Sequence, residues 1–272
     1  MSKALVVLSG GQDSTTCLYL AKRRYDEIHA VTFDYGQRHK IELEAAKKIA
    51  HMAGVASHEF IKIGDHILES TSPLVTSNRL EQYVDADSLP GGIEKTFVPM
   101  RNQLFLTIAA NRAVARGCND IYTGVSQADY GGYPDCRNKF ILALEEATNL
   151  GTFDDATGGG IIVQTPLMNM SKAQTVQMAL KLPGCYSALA HSHTAYDGQY
   201  PPRGKDHASI LRAKGFEEAG VPDPLVLRAV YGDEVMHPDE IPDTDNYSEE
   251  VVKFYWMTLV DDMEHNDALP IN

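Results

Sequence analysis

The stretch that most limits what this chain can fold into is Leu8-Ser9-Gly10-Gly11-Gln12-Asp13-Ser14-Thr15-Thr16, set between the apolar residues 4–7 and the apolar Cys17-Leu18-Tyr19-Leu20-Ala21. A buried strand, a glycine turn and a helix start in immediate succession build an anion cradle. The first-turn N–H groups of a helix lack partners within it and point outward. Phosphate is the natural guest. Gly10 and Gly11 let the backbone approach an anion without a Cβ in the way, and the hydroxyls of Ser9, Ser14 and Thr15 add donors where the amides leave gaps. The stretch lacks the Gly-Lys-Ser/Thr of a Walker loop, and it is not GxGxxG, so a dinucleotide fold loses its main support. A glycine turn that binds nothing is the plain alternative. Against it, two glycines, an acid and hydroxyls converge at the first strand's end, where open α/β sheets place ligands.

The rest of the chain repeats the strand-helix alternation. Residues 3–8 read as a strand and 14–23 as a helix ended by a basic pair. Residues 29–33 form a second strand, closed by Asp34-Tyr35-Gly36-Gln37-Arg38, and 41–52 carry helical spacing until Gly54 stops it. With a third strand at 58–63 the opening is β-α-β-α-β, which predicts a doubly wound parallel sheet with right-handed crossovers. Residues 64–95 lose periodicity and predict a long excursion over the sheet's carboxyl edge. Pro99 keeps Val98 extended, so Arg101 and Asn102 start a helix facing the ligand edge, and a phosphate or carboxylate contact is preferred for Arg101 over a solvated surface charge. A fourth strand at 120–124 runs into a loop, 125–137, whose tyrosines, acids and arginine can read a flat polar heterocycle. A helix at 137–151 and a fifth strand at 161–164 follow. Ser171 and Gln174 have capping-box spacing, and Lys172 between them opposes the helix dipole, so it needs an anion nearby, which a polyphosphate would supply. From about residue 184 the register turns irregular, which divides the chain into 1–183 and a smaller C-terminal lobe, 184–272.

Composition narrows the function. The 272 residues carry a formal net charge of -13 with no stripe of Lys and Arg, which disfavours nucleic acid and favours small-molecule chemistry. No signal core or window long enough to span a membrane is present, so a cytoplasmic protein without membrane contact is expected. The four cysteines, Cys17, Cys118, Cys136 and Cys185, show no CxxC spacing and suit reduced thiols.

Ser9-Gly10-Gly11-Gln12-Asp13-Ser14 resembles the PP-loop of the N-type ATP pyrophosphatases, which cleave ATP between the α and β phosphates and leave AMP on a substrate oxygen. Four further blocks stand in order behind it: Phe97-Val98-Pro99-Met100-Arg101-Asn102, residues 124–137 with Gly132-Tyr133-Pro134-Asp135-Cys136-Arg137, Thr165-Pro166-Leu167, and Lys172. Together they look like the QueC family of 7-cyano-7-deazaguanine synthases, over residues 1 to about 220. The resemblance implies a homodimeric ligase with a five-stranded sheet. It would adenylate 7-carboxy-7-deazaguanine, let ammonia displace AMP to give an amide, then activate the amide oxygen and eliminate AMP to give the nitrile, preQ0. By the same resemblance ATP lies on Leu8, Ser9, Gly10, Gly11, Gln12, Asp13, Ser14, Thr15, Thr16, Cys17 and Leu18, with Phe33, Arg101, Gly124 and Lys172. Asp13, Arg101 and Lys172 are the catalytic set, Asp13 helps place Mg²⁺, and Gln127, Asp129, Tyr133, Asp135 and Arg137 form the deazaguanine pocket. Which of Asp129 and Asp135 touches the base stays open.

One departure stands out. Typical members carry a structural zinc on four cysteines, and the alignment puts Ala195, Arg203, Asp206 and Ser209 at those positions. Ala and Arg cannot ligate zinc. His191, His193, Asp206, His207 and Cys185 are an alternative donor set, but the expectation is no zinc, with the lobe held by packing, hydrogen bonds and ion pairs such as Arg203 would make. The altered lobe also leaves room for a QueC-like ligase that couples the adenylated base to another amine, such as a protein, or for a non-catalytic deazaguanine-binding protein.

Overall fold

The structure is a computed structural model and describes residues 1–232, except 38, 65–66, 77–80, 86–87, 90–91, 128–131, 154–158, 197 and 203–204. Five parallel strands, β1 (Lys3–Val7), β2 (Glu27–Asp34), β3 (Ser57–Lys62), β4 (Asp120–Tyr122) and β5 (Ile162–Gln164), form one sheet in the order β3-β2-β1-β4-β5. Ala4 pairs with Ile28 on one side and Asp120 on the other. The chain winds outward from β1 through β2 to β3, then returns to β1's other edge, so the carboxyl end of β1 is the switch point where open sheets leave a crevice. This is the doubly wound α/β sheet that the β-α-β-α-β pattern predicts.

The period of two along β1 splits the core. Ala4, Val6 and Leu8 join a cluster with α1 (Gln12–Lys22), α2 (Ile41–Ala53), α5 (Lys172–Leu180) and α6 (Cys185–Leu189). Leu5 joins Val31 and Ile121 against α3 (Arg101–Arg116) and α4 (Asn138–Thr152) on the opposite face. Local signals set several helix ends. Gly54 closes α2 in the left-handed region at φ 65°, and Ser171 and Gln174 form both bonds of a capping box, 3.2 and 2.9 Å. The described part of 64–95 runs without strand or α-helix and is tied down by Ser72 Oγ donating to the Thr96 carbonyl and Tyr83 N to the Lys205 carbonyl.

The segment expected to be a smaller lobe packs, as far as residue 232, directly on the sheet's helices. Cys185, Tyr186, Ala188 and Leu189 of α6 and Phe216 of α7 (His207–Ala219) lie in the same cluster as β1 and α1. Its central polar contact is Arg212, 1% exposed, whose guanidinium donates to both oxygens of Asp223 at 2.6 and 2.8 Å, to Ser192 Oγ at 2.7 Å and to the Leu189 carbonyl at 3.2 Å. Asp223 in turn caps α8 (Pro224–Tyr231) by accepting from Leu225 N. Among the positions aligned with zinc ligands, Asp206 accepts from both N and Oγ of Ser209, 3.0 Å each, and from Tyr196 N at 3.2 Å. Ala195 is buried, and Arg203 lies outside the described residues. Among the described residues of this segment, Arg212 makes the buried ion pair, and Lys214 pairs with Glu218 at 3.9 Å along α7.

Two substitutions test these contacts. Removing one partner of a buried ion pair strands the other charge, so Arg212→Ala is expected to cost about 3–5 kcal/mol in urea denaturation. An unchanged midpoint would show that Asp223 finds water or another donor. Gly10 sits at φ +90°, and a Cβ there would lie 2.3 Å from the Glu42 carbonyl oxygen. Gly10→Ala should cost at least the ~1–2 kcal/mol of left-handed strain, read as a lowered thermal midpoint.

Candidate active site

A cavity of about 340 Å³ opens at the carboxyl end of β1, within the range that holds a small organic ligand. One wall is the loop from Leu8 to Ser14. Gly11 faces the cavity, and a Cβ on it would meet nothing closer than 3.5 Å. Gly10 does something else. Its carbonyl accepts from His193 N at 2.8 Å, and its Cα packs on the backbone of α2. The Cβ that Gly10 lacks would thus fall on α2. Ser9 and Ser14 stay at the cavity with their hydroxyls 3.0 Å apart, while Thr15 and Thr16 turn theirs back onto the carbonyls of Gly11 and Gln12. Cys17 and Leu18 are fully buried core residues off the cavity wall, and burial pushes the Cys17 thiol well up, keeping it neutral.

The charged residues come from three distant parts of the chain. Lys172, in the first turn of α5, sets its ammonium 2.6 Å from Asp13 Oδ2 in the first turn of α1. The anion that Lys172 requires is thus present in the protein itself. Gly215 on α7 allows that approach, since a Cβ there would come within 2.6 Å of Lys172 Cβ. Gly124, just after β4, lines the cavity and lies against the Asp13–Ser14 backbone. Arg101 opens α3 with its guanidinium 5.9 Å from the centre of the Tyr35 ring. Burial opposes its charge, but Tyr35, Tyr133, Tyr196 and Asp135 outweigh that and raise its pKa, so it is a cavity cation and not a solvated surface charge. Phe33 adds an apolar wall, stacked on Phe105 at 4.2 Å.

The loop expected to read a heterocycle is less committed to the cavity. Tyr133 lines it, braced by Phe97 at 5.3 Å and bonded through its hydroxyl to Thr96. Asp135 is buried away from the cavity wall. Its Oδ2 accepts from Asn102 N at 3.2 Å, so it caps the first turn of α3. Gln127 Oε1 accepts from Asn138 N at the start of α4, and its Nε2 donates to Asn169. Arg137 is exposed and donates to the Gly132 carbonyl. Asp129 lies outside the described residues. Of the four described pocket residues, Tyr133 alone faces the cavity; the others hold helix starts and the loop's own turn.

Sequence reasoning missed Tyr35, Gln37, Glu42 and Tyr196, all on the cavity wall, and named His193, also there, only as an alternative metal donor. Glu42 has the most unusual chemistry: burial raises its carboxyl to about 7, opposed by Arg101 and reinforced by Asp206. An acid in a helix's first turn reads as a dipole-stabilising residue, which hid it. Tyr35 and Gln37 stand in the segment that closes β2 and could have been found as polar residues at a strand's carboxyl end.

The oxygen donors here, the Asp13 carboxylate and the Ser9 and Ser14 hydroxyls, suit a hard cation carried on phosphates. Among the described residues no three His, Cys, Asp or Glu side chains are grouped to hold a metal ion, and no helix is long and apolar enough to cross a membrane. The 7-cyano-7-deazaguanine synthase of Gloeobacter violaceus is 53% identical over 227 residues, 83% of this chain and 96% of that one. Its counterpart in Chromobacterium violaceum is 51% identical over 233 residues, 83% and 94%. A 4-thiouridine synthetase solved with RNA and bound ATP is more distant, 20% identical with a TM-score of 0.42, over 83% of this chain and 52% of that one. Residues 3–220 match the family model described as queuosine biosynthesis protein QueC, and the chain belongs to that family.

Proposed function

We infer that this chain is a carbon-nitrogen ligase that uses ATP to turn 7-carboxy-7-deazaguanine and ammonia into 7-cyano-7-deazaguanine, through an acyl adenylate and an amide, releasing AMP and pyrophosphate. The observation that carries this reading is the gathering of the glycine loop, Lys172 and Arg101 on one cavity, in a chain that is 53% and 51% identical, over 83% of its length, to synthases of that name. A carboxylate is a poor electrophile: its charge repels the nucleophile and hydroxide leaves badly. Adenylation neutralises the carbonyl and supplies a good leaving group.

The residues divide the work as follows. The N–H groups of Gly11 to Ser14 and the Ser9 and Ser14 hydroxyls cradle phosphate oxygens. As the substrate carboxylate attacks the α-phosphorus and the bond to the β-phosphate breaks, Lys172 and Arg101 supply positive potential where charge collects. Asp13 keeps Lys172 at the loop before nucleotide arrives. Mg²⁺, which Asp13 would help hold, supplies further charge neutralisation when bound with ATP. Tyr133 and the Phe33–Phe105 stack offer flat faces for a base. The reading includes a cytoplasmic homodimer without structural zinc, acting on small molecules and not on nucleic acid.

Three outcomes test it. The purified protein should convert ATP to AMP and pyrophosphate only when 7-carboxy-7-deazaguanine is present, with product mass identifying nitrile, amide or adduct; release of ADP would remove the pyrophosphatase assignment. Lys172→Met should lower AMP formation by about 10²–10³-fold, the usual cost of losing one charge-stabilising donor. EDTA should leave the thermal midpoint unchanged in nucleotide-free buffer, since a chain that needed structural zinc would unfold on losing it, and elemental analysis should find far less than one zinc per chain.

A further inference from the structure

Two carboxylates line the cavity among the described residues, Asp13 and Glu42. Asp13 is held by Lys172 at 2.6 Å. Glu42 differs: half-buried on the cavity wall, its carboxylate makes no ion pair or hydrogen bond among the described residues, and burial disfavours its charge. Burying an acid without a partner costs free energy, and such a group facing a ligand cavity is suited to exchange a proton with what enters. Its main chain is fixed, because the Glu42 carbonyl packs on Gly10 of the phosphate loop. Its charged and titratable neighbours are Arg101 from α3, Tyr35 and His39 from the segment after β2, Tyr196 from the segment before α7, and Asp206 and His207 at the start of α7. His39 is less apt as a base because its ring is pressed on Gly198, and His193 and His207 are buried with interactions of their own.

We propose that Glu42 is the catalytic proton acceptor for the nitrogen nucleophile in the amide-forming step. This rests on the adenylation reading above. Nitrogen enters as ammonium; the Glu42 carboxylate takes one proton and so frees the lone pair that forms the C–N bond at the acyl carbon. The bond from that carbon to the adenylate oxygen then breaks with its electron pair on the AMP phosphate, which accepts the second nitrogen proton as the amide forms. A carboxyl poised near neutrality can both take the proton and shed it before the next turnover.

The test compares wild type with Glu42→Gln in two assays: exchange of radiolabelled pyrophosphate into ATP with 7-carboxy-7-deazaguanine present, and amide formation with ammonium or hydroxylamine. Glu42→Gln should keep exchange within a few-fold and lose about 100-fold in ammonium-dependent amide formation. Hydroxylamine, already unprotonated at neutral pH, should restore most of the loss. With ammonium, the wild-type rate should rise with pH and level off near 7, whereas the variant's should keep rising with free ammonia. Exchange and amide formation falling together in both Glu42→Gln and Glu42→Asp would make Glu42 structural and overturn the proposal, as would an unchanged amide rate in Glu42→Gln. Absence of exchange in the wild type would instead overturn the adenylation reading itself.

Discussion

The site depends on an ion pair between residues 159 positions apart. Asp13 sits where a helix dipole favours an anion, and Lys172 sits where one disfavours a cation. The dipole cost at Lys172, about 0.3–1 kcal/mol, is of the size that a modestly exposed ion pair returns. Stability alone therefore gives little reason for the arrangement. What the pair does is hold an ammonium against the glycine loop, so that under the proposed function a nucleotide would meet a formed field and need not organise one. The close packing of α7 on α5 at Gly215 serves the same end, because it leaves the Lys172 side chain little choice of direction.

The segment after residue 184 shows how a chain can be closed without thiolates at the positions aligned with zinc ligands. Asp206 and Ser209 bond each other and start α7, and Arg212, one turn further along, gathers Asp223, Ser192 and the Leu189 carbonyl at the heart of the segment. A guanidinium with its donors directed to several acceptors imposes directions on its neighbours much as a coordinated ion would, although it remains covalently part of one helix.

Features with local causes were legible in the sequence. Apolar periodicity marked the five strands and the helices packed on them, Gly54 marked a helix end, and Ser171 with Gln174 marked a helix start. The gathering of the loop, Lys172 and Arg101 at one cavity was legible because strand ends in a parallel sheet share one edge. What escaped was set by contacts between distant segments. Nothing near Gly10 announces that α2 lies against it, and nothing near Asp135 announces that Asn102 needs a cap. The same blindness passed over Glu42, and nothing local to α6 and α7 announces that Cys185, Tyr186, Ala188, Leu189 and Phe216 share a cluster with β1 and α1.

The contact of Gly10 with α2 has a mechanical side. The loop is gripped by α2 at its Cα and by the His193 amide at its carbonyl, so its conformational freedom is surrendered when the protein folds and not when a ligand arrives. Such a loop cannot reshape itself around a poorly fitting anion. It also joins the glycine loop and the first turn of α2 into one stiff unit, whose spacing is set by backbone geometry. Under the proposed function, a substrate whose reactive carbon sat one bond too near to or too far from the phosphates would find no compensating movement in that unit.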